Sequence, residues 1–256
     1  MKVISISSFV AHEQVSLKLT LQYYGAVMLP IPSEVFSAPM NIEGANSTAV
    51  SIAPLLDSTL SICARKSERI ILHIGFLANV AQANEIVEAI EKFTGIIEAV
   101  VVDPVMGDNG FAYGAKDKTS WFKQLLPYAN LATPNFTELC MLTGCAFEAS
   151  SYRLAMDRFK QQFPGTILIV TSAPAQTSVK QEVGVGFYQN NQASSISFAR
   201  IGNHASGTGD LFTMGVIDHY FIRKKPVDEA IRSAHVLVSA HLSNAYKEKP
   251  ETTVNK

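Results

Sequence analysis

Near the C-terminus Ser206, Gly207, Thr208, Gly209 and Asp210 stand directly before an apolar, helix-like run that begins at Leu211. Their small size lets the chain turn tightly and brings several backbone N–H groups together as the helix starts. The first N–H groups of a helix have no internal partner, and the helix dipole makes that end positive. A phosphate can be held there by backbone alone, and glycines let it come close. Asp210 then sets a carboxylate in the first turn, beside the anion. A phosphate cradle next to a base points to phosphoryl transfer onto a hydroxyl group. The same five residues also describe a plain glycine-rich turn in which Asp210 favours the helix N-terminus.

Three further loops carry polar groups at the ends of apolar runs. Asp103, Pro104, Val105, Met106, Gly107 and Asp108 follow the strongly apolar Val100, Val101 and Val102. Oxygen ligands of this kind suit Mg²⁺, which takes one or two carboxylates together with phosphate oxygens. A solvated turn rich in Asp, Asn and Gly is the alternative. Thr133, Pro134 and Asn135 open a helix, with Glu138 three residues after Asn135. That is a capping-box pattern, which explains both residues structurally; at a strand's carboxyl edge it can also face a nucleotide. Thr171 and Ser172 end a strand with hydroxyls in reach of a phosphate or cation, although Ser and Thr often end strands without such a role.

Other chemistries find no support. The six histidines show no metal-ligand spacing, and His204, beside the glycine turn, reads best as an ordinary loop histidine. Cys63, Cys140 and Cys145 form no C-x-x-C pair and fit no zinc spacing, so they read as reduced thiols. There is no G-x-x-x-x-G-K-[ST] phosphate loop and no G-x-S-x-G elbow.

The elements that must hold these loops alternate. Residues 3–7 read as strand, 14–24 as helix ending at Gly25, and 26–31 as a short strand closed by Pro32. Residues 47–65 read as helix, 70–74 as strand, 80–93 as helix and 97–102 as strand. In the second half, 150–163 reads as helix and 166–171 as strand. Residues 183–188 and 194–200 form a hairpin, and 208–222 and 227–246 are terminal helices. The strands are continuously apolar, as expected where helices cover both faces of a parallel sheet. Right-handed crossovers then give a layered α/β/α domain, with ligands beyond the carboxyl ends of its strands. The 256 residues fit one large domain, 47% of them hydrophobic and 17% charged. A net charge of -1 argues against a nucleic-acid-binding face. No apolar run is long enough to span a bilayer, and the N-terminus reads as a first strand rather than a signal peptide.

The ordered set from Asp103 to Asp108, Thr133-Pro134-Asn135 with Glu138, Val170-Thr171-Ser172 and Gly207-Thr208-Gly209-Asp210 resembles the vitamin-kinase branch of the ribokinase superfamily, and within it the pyridoxal kinase family. Ser5-Ile6-Ser7-Ser8 resembles that family's S-I-Q-S strand end, and Val35-Phe36-Ser37 its V-Q-F-S segment. The resemblance implies a ribokinase-like three-layer α/β/α fold over residues 1–256, with a mostly parallel sheet and a small antiparallel hairpin. It implies Mg²⁺- and ATP-dependent phosphorylation of the 5′-hydroxymethyl group of pyridoxal or a related B6 vitamer. It also implies a cytoplasmic homodimer that uses neither nucleic acid nor membrane, and leaves room for a monovalent cation, K⁺ or Na⁺.

By the same resemblance Asp210 is the general base, and Gly207, Thr208 and Gly209 hold the phosphates. Asp103 and Asp108 surround cation and phosphates, Glu138 acts through Mg²⁺ or its waters, and Thr133 and Thr171 lie near metal and nucleotide. Asn135 and Ser172 contact nucleotide, and Tyr113 lies near the phosphates. Ser8, Phe36, Ser37, Met40, Phe76 and Val105 line the acceptor side. Two departures fall on that side: residues 9–16 lack the family's H-V-x-x-G-x-V-G-N-like run, and Met40 stands where the family often has threonine. Hydroxymethylpyrimidine kinases of the same branch usually carry a glycine-rich start after the first strand and often G-T-G-C, both missing here. Sugar kinases carry G-A-G-D and an extra sheet. A binder of nucleotide or B6 compound without turnover is a further class, one that would have no use for Asp210.

Overall fold

The computed structural model describes residues 1–114, 117–174, 182–189, 192–200 and 207–247. Ser206, His204 and the tip of the expected hairpin, Asn190 and Asn191, lie outside them. The described strands are β1 (Lys2–Val10), β2 (Met28–Phe36), β3 (Ser47–Ala49), β4 (Ile70–Ile74), β5 (Ile97–Val102), β6 (Gly107–Asp108), β7 (Phe111–Ala112), β8 (Leu131–Ala132), β9 (Ile167–Ala173), β10 (Glu182–Gln189) and β11 (Gln192–Ala199). The helices are α1 (Ser16–Tyr24), α2 (Ala53–Arg65), α3 (Val80–Lys92), α4 (Lys118–Leu125), α5 (Phe136–Thr143), α6 (Tyr152–Gln162), α7 (Thr208–Val216) and α8 (Val227–Lys247).

Nine strands form one sheet in the order β11-β10-β9-β8-β5-β4-β1-β2-β3, and β6 and β7 form a small separate hairpin. From β9 across to β2 neighbours run parallel; β10, β11 and β3 are antiparallel additions at the edges. The chain winds outward from β1 through β2 and β3, then returns past β1 to β4, β5, β8 and β9. That reversal puts the ends of β1, β4 and β5 beside one another, where open α/β sheets bind ligands.

The apolar strands feed two cores by their two-residue period. Ile4, Ile6, Ile70, Leu72, Ile74, Val100 and Val102 pack against α2 to α6 through Leu56, Ile86, Phe122, Leu139 and Phe159. Val3, Ile71, Ala99 and Val101 face the other way, onto Leu17 of α1, Met214 of α7 and Ile231 of α8. Covering both faces explains why the strands read as unbroken apolar runs.

Four expectations need correction. The strand at 26–31 extends through both prolines to Phe36. This is possible because β3 pairs with β2 only from Glu34 onward, leaving the outer edge at Pro30 and Pro32 without a partner. Residues 47–65 are not one helix. Ser47–Ala49 pairs with Glu34, Val35 and Phe36 as an edge strand, and α2 starts at Ala53 with Pro54 in its first turn. The last-but-one helix is α-helical only to Val216, and Ile217–Ile222 winds more widely as π-helix. Finally α4, β8 and the β6–β7 hairpin were not anticipated. Two-residue strands carry no periodic signal, although Leu131 and Ala132 are fully buried.

One buried polar group has a measurable consequence. His73 of β4 is fully buried; its Nδ1 lies 2.8 Å from Ser5 Oγ, and its Nε2 has no partner. Burial pushes its pKa down to about 4. The unfolded chain therefore binds more protons than the folded one between about pH 6.5 and about pH 4, so stability falls on acidification through that window. In urea unfolding at pH 7 and pH 4.5, His73→Gln is expected to lose less stability on acidification than the wild type. Equal losses would mean that His73 is not the group responsible.

Candidate active site

Asp210 sits in the first turn of α7 and is buried. Ser7 Oγ donates to its Oδ1 and Ser16 Oγ to its Oδ2, each at a long 3.4 Å. Ser8 Oγ donates in turn to Ser16 Oγ at 2.9 Å. A register shift in the β1–β2 pairing falls between Ser7 and Ser8, which lets consecutive serines join one network despite the alternation of a strand. Burial raises the pKa of Asp210, and the hydroxyls of Ser7 and Ser16 with its own backbone N–H offset part of that rise. A carboxyl group held above its usual range is suited to taking a proton near neutral pH.

Asp103, at the end of β5, faces the same side. Thr213 Oγ1, one turn beyond Asp210 on α7, donates to Asp103 Oδ2 at 3.2 Å and lies 2.9 Å from Thr133 Oγ1 at the end of β8. Burial raises the pKa of Asp103 first and the charge of Asp210 second, while the two threonine hydroxyls pull it back. Glu138 forms the capping box that the sequence suggests. Its Oε2 accepts from Asn135 N at 2.8 Å and its N–H donates to Asn135 Oδ1 at 3.0 Å. Glu138 Oε1 also accepts from Met106 N at 3.0 Å, tying α5 to the loop after β5. Burial raises the pKa of Glu138 well above the usual range, with the charge of Asp103 adding to it.

These groups open into a cleft of about 620 Å³. Asp103, Val105, Gly107, Asp108, Tyr113, Thr133, Asn135, Glu138, Thr171, Ser172, Gly207, Thr208, Gly209 and Asp210 all line it, so the four loops singled out from the sequence converge on one space. Asp108 caps the β6–β7 turn, accepting from Asn109 N and Nδ2 at 2.9 and 3.0 Å. Asn135 Nδ2 donates to Gly107 O at 2.7 Å. Ser172 holds a left-handed φ of 51° at the end of β9. The cleft is also lined by Val183, Val185, Val238 and Leu242, and by His235, whose ring stacks on Phe198 with centroids 3.8 Å apart.

Of the acceptor-side candidates, Val105 lines the cleft, while Ser8, Phe36, Ser37, Met40 and Phe76 are not among its lining residues. Phe36 and Phe76 meet edge to face at 5.7 Å. Ser37 is engaged with the backbone of Asn46, and Met40 is 60% exposed in the following turn. The structure brings neither Ser37 nor Met40 into the cleft. Ser7, Ser16 and Thr213 were missed from the sequence. Thr213 was the readable one, because three residues after Asp210 is the same helix face.

Among the described residues no three His, Cys, Asp or Glu side chains form a ready-made metal cage. The chemistry of the donors nonetheless fits Mg²⁺, which keeps waters and takes phosphate oxygens. Asp103 and Glu138 are buried carboxyl groups, and the charge of Asp103 adds to the raised proton affinity of Glu138, a repulsion that a cation would relieve.

The sequence profile of the phosphomethylpyrimidine kinase family matches residues 39–254. A pyridoxine/pyridoxal/pyridoxamine kinase of Bordetella bronchiseptica is 30% identical over 176 residues, covering 66% of this chain and 60% of that protein. The corresponding kinase of Bordetella avium is 29% identical over 150 residues, 57% of this chain and 51% of the relative. The matches thus span little more than half the length of these relatives. Among solved structures, pyridoxal kinase from Entamoeba histolytica superposes with a TM-score of 0.82 at 22% identity, covering 95% of this chain and 89% of that one. Pyridoxal kinase from Leishmania donovani in complex with ADP gives 0.81 at 18% identity, over 99% and 90%. These likenesses show the ribokinase-like fold.

The two glycines before Asp210 should respond in opposite ways. Gly207 has φ +85°, and a Cβ there would sit 3.0 Å from Leu19 Cδ2 and 3.3 Å from Val15 Cα. Gly207→Ala is expected to destabilise the fold by roughly 1 kcal/mol or more. Gly209 is helical, and a Cβ there would meet nothing within 4 Å. Gly209→Ala should therefore raise Tm slightly, since alanine is the better helix former, while its methyl would project into open space at the turn expected to hold phosphate. Melting and nucleotide titration on the same samples check both. A Gly209→Ala protein with unchanged nucleotide Kd would remove this turn from the phosphate site.

Proposed function

The chain belongs to the phosphomethylpyrimidine kinase family, and from that premise we propose that it transfers the γ-phosphoryl group of ATP to the 5′-hydroxymethyl group of pyridoxal and related B6 alcohols. One observation carries the reading: a buried carboxylate, Asp210, stands in the first helical turn beside Gly209, whose Cβ position is open to the cleft. A base and an anion site in one turn are what in-line transfer to an alcohol requires.

Asp210 accepts the hydroxyl proton as the oxygen attacks, and its raised pKa makes that transfer favourable near neutral pH. The N–H groups of the α7 N-terminus, from Thr208 on, face the charge that develops on the transferred group. Ser7 and Ser16 keep the carboxylate pointed at the acceptor. Bound Mg²⁺ supplies charge neutralisation on the phosphates, and Asp103, Asp108, Thr133 and Glu138 are the residues to hold it, directly or through water. Tyr113, Thr171, Ser172 and Asn135 lie along the nucleotide's path. Relatives solved with ADP support nucleotide use in this fold. Among the described residues no helix is long and apolar enough to cross a membrane. A cytoplasmic homodimer belongs to this proposal.

The family's description names a pyrimidine kinase, which keeps a pyrimidine alcohol, hydroxymethylpyrimidine, as the second acceptor. Asp210 in place of the cysteine often found in that subfamily, and the B6 specificity in the relatives' names, support pyridoxal. Coupled ADP release with Mg²⁺ and ATP across pyridoxal, pyridoxine, pyridoxamine and hydroxymethylpyrimidine decides between them. Turnover of the B6 compounds is expected; turnover of the pyrimidine alone gives the second reading. Asp210→Asn should leave nucleotide Kd nearly unchanged and lower kcat about 10²–10⁴-fold. A variant keeping half of wild-type kcat would mean that Asp210 is not the base.

A further inference from the structure

Lys118, the first residue of α4, is a buried cation for which the transfer chemistry has no use. It is only 4% exposed, and its Nζ lies 3.9 Å from the centre of the Phe76 ring. Among the described residues it forms no hydrogen bond and no ion pair. Buried ammonium groups are costly unless their N–H donors are met, and a ring face meets only part of that need. Burial pushes the pKa of Lys118 down to about 8, with Glu34 of β2 pulling the other way, so it stays an ammonium at neutral pH.

Its position is tied to the reacting end of the site by contacts. Phe76 follows β4, and its backbone N–H donates to Ser7 Oγ at 3.3 Å. Ser7 Oγ in turn reaches Asp210 Oδ1 at 3.4 Å. Phe76 packs on Phe36, and Ser33 Oγ donates to Phe76 O at 2.6 Å. An aromatic wall carrying a buried cation is thus linked through Ser7 to the general base, at the carboxyl ends of β1, β2 and β4.

We propose that Lys118 is a specificity-determining residue that donates to an anionic ring oxygen on the acceptor, and so selects hydroxypyridines over aminopyrimidines. This rests on the reading of the cleft as a kinase site. The B6 alcohols carry an acidic ring hydroxyl that offers an ammonium a charge-assisted partner. Hydroxymethylpyrimidine carries an amino group instead, a donor that leaves Lys118 unmet and buried. Selection by an unmet buried charge is the stronger half of such discrimination.

The test pairs a residue change with a ligand change. Lys118→Met, similar in length and uncharged, is expected to raise KM for pyridoxine roughly tenfold or more while leaving KM for ATP and the kcat at saturation near wild type. Wild type should bind 3-deoxypyridoxine, which lacks the ring oxygen, about as weakly as Lys118→Met binds pyridoxine, and the variant should treat the two compounds alike. Lys118→Arg, which keeps the charge, should recover part of the affinity. If Lys118→Met loses equal affinity for both compounds, or none for either, the proposal is overturned. Should Lys118→Met fail to fold, the wild-type comparison alone decides: equal KM for pyridoxine and 3-deoxypyridoxine overturns it. Absence of any B6 turnover by wild type, with the pyrimidine phosphorylated, instead overturns the reading of the acceptor.

Discussion

Three carboxyl groups, Asp103, Glu138 and Asp210, are buried together at one edge of the sheet, and much of the surrounding structure serves to keep them there. Each has its pKa raised by burial, and Asp103 is raised further by Asp210 as Glu138 is by Asp103. Left alone such a set would protonate or unfold its surroundings. What holds it is a surplus of donors: Ser7 and Ser16 for Asp210, Thr213 for Asp103, and the backbone N–H groups of Asn135 and Met106 for Glu138. Neutral donors of this kind offset desolvation without cancelling the charge. The remaining negative potential is what a cation carrying phosphates would relieve.

The fold supplies these donors through its winding. Because the chain reverses direction across the sheet at β1, the ends of β1, β5 and β8 lie close enough for one helix, α7, to reach all three. Asp210 meets Ser7 of β1, and Thr213, one turn on, meets Asp103 after β5 and Thr133 after β8. The capping box of α5 serves structure and site at once. Glu138 closes the helix N-terminus and, through Met106, fixes the loop that presents Asp108. Glu138 also lines the cleft, so its capping role is compatible with the one proposed for it.

The loops that line the cleft were legible because their signals are local. Short runs rich in Gly, Asp and Thr after apolar strands mark loops at the carboxyl edge, and all four lie on the cleft. The central strands were equally legible, since burial on both faces leaves unbroken apolar runs. What was not legible depended on long-range pairing. Ser47–Ala49 looks helical until β2 is there to pair with it, and Pro30 and Pro32 look like terminators until β2 proves to have an open edge. Leu131–Ala132 is too short to show any period. On the acceptor side, Ser16 reaches Asp210 from 194 positions away, and Lys118 meets Phe76 across a separate helix, so neither contact leaves a trace in local spacing.

If the buried acidic set is held against its own repulsion for the sake of a phosphate-bound cation, stability and ligand response must trade against each other at Asp103. Asp103→Asn keeps an oxygen for Thr213 and removes one charge from the set. Thermal melting with and without Mg²⁺ and ATP measures both sides of the trade. The expected result is a variant with a higher Tm than wild type in the absence of ligand and a much smaller rise on adding Mg²⁺ and ATP. A lower ligand-free Tm together with an undiminished Mg²⁺–ATP response would contradict the account.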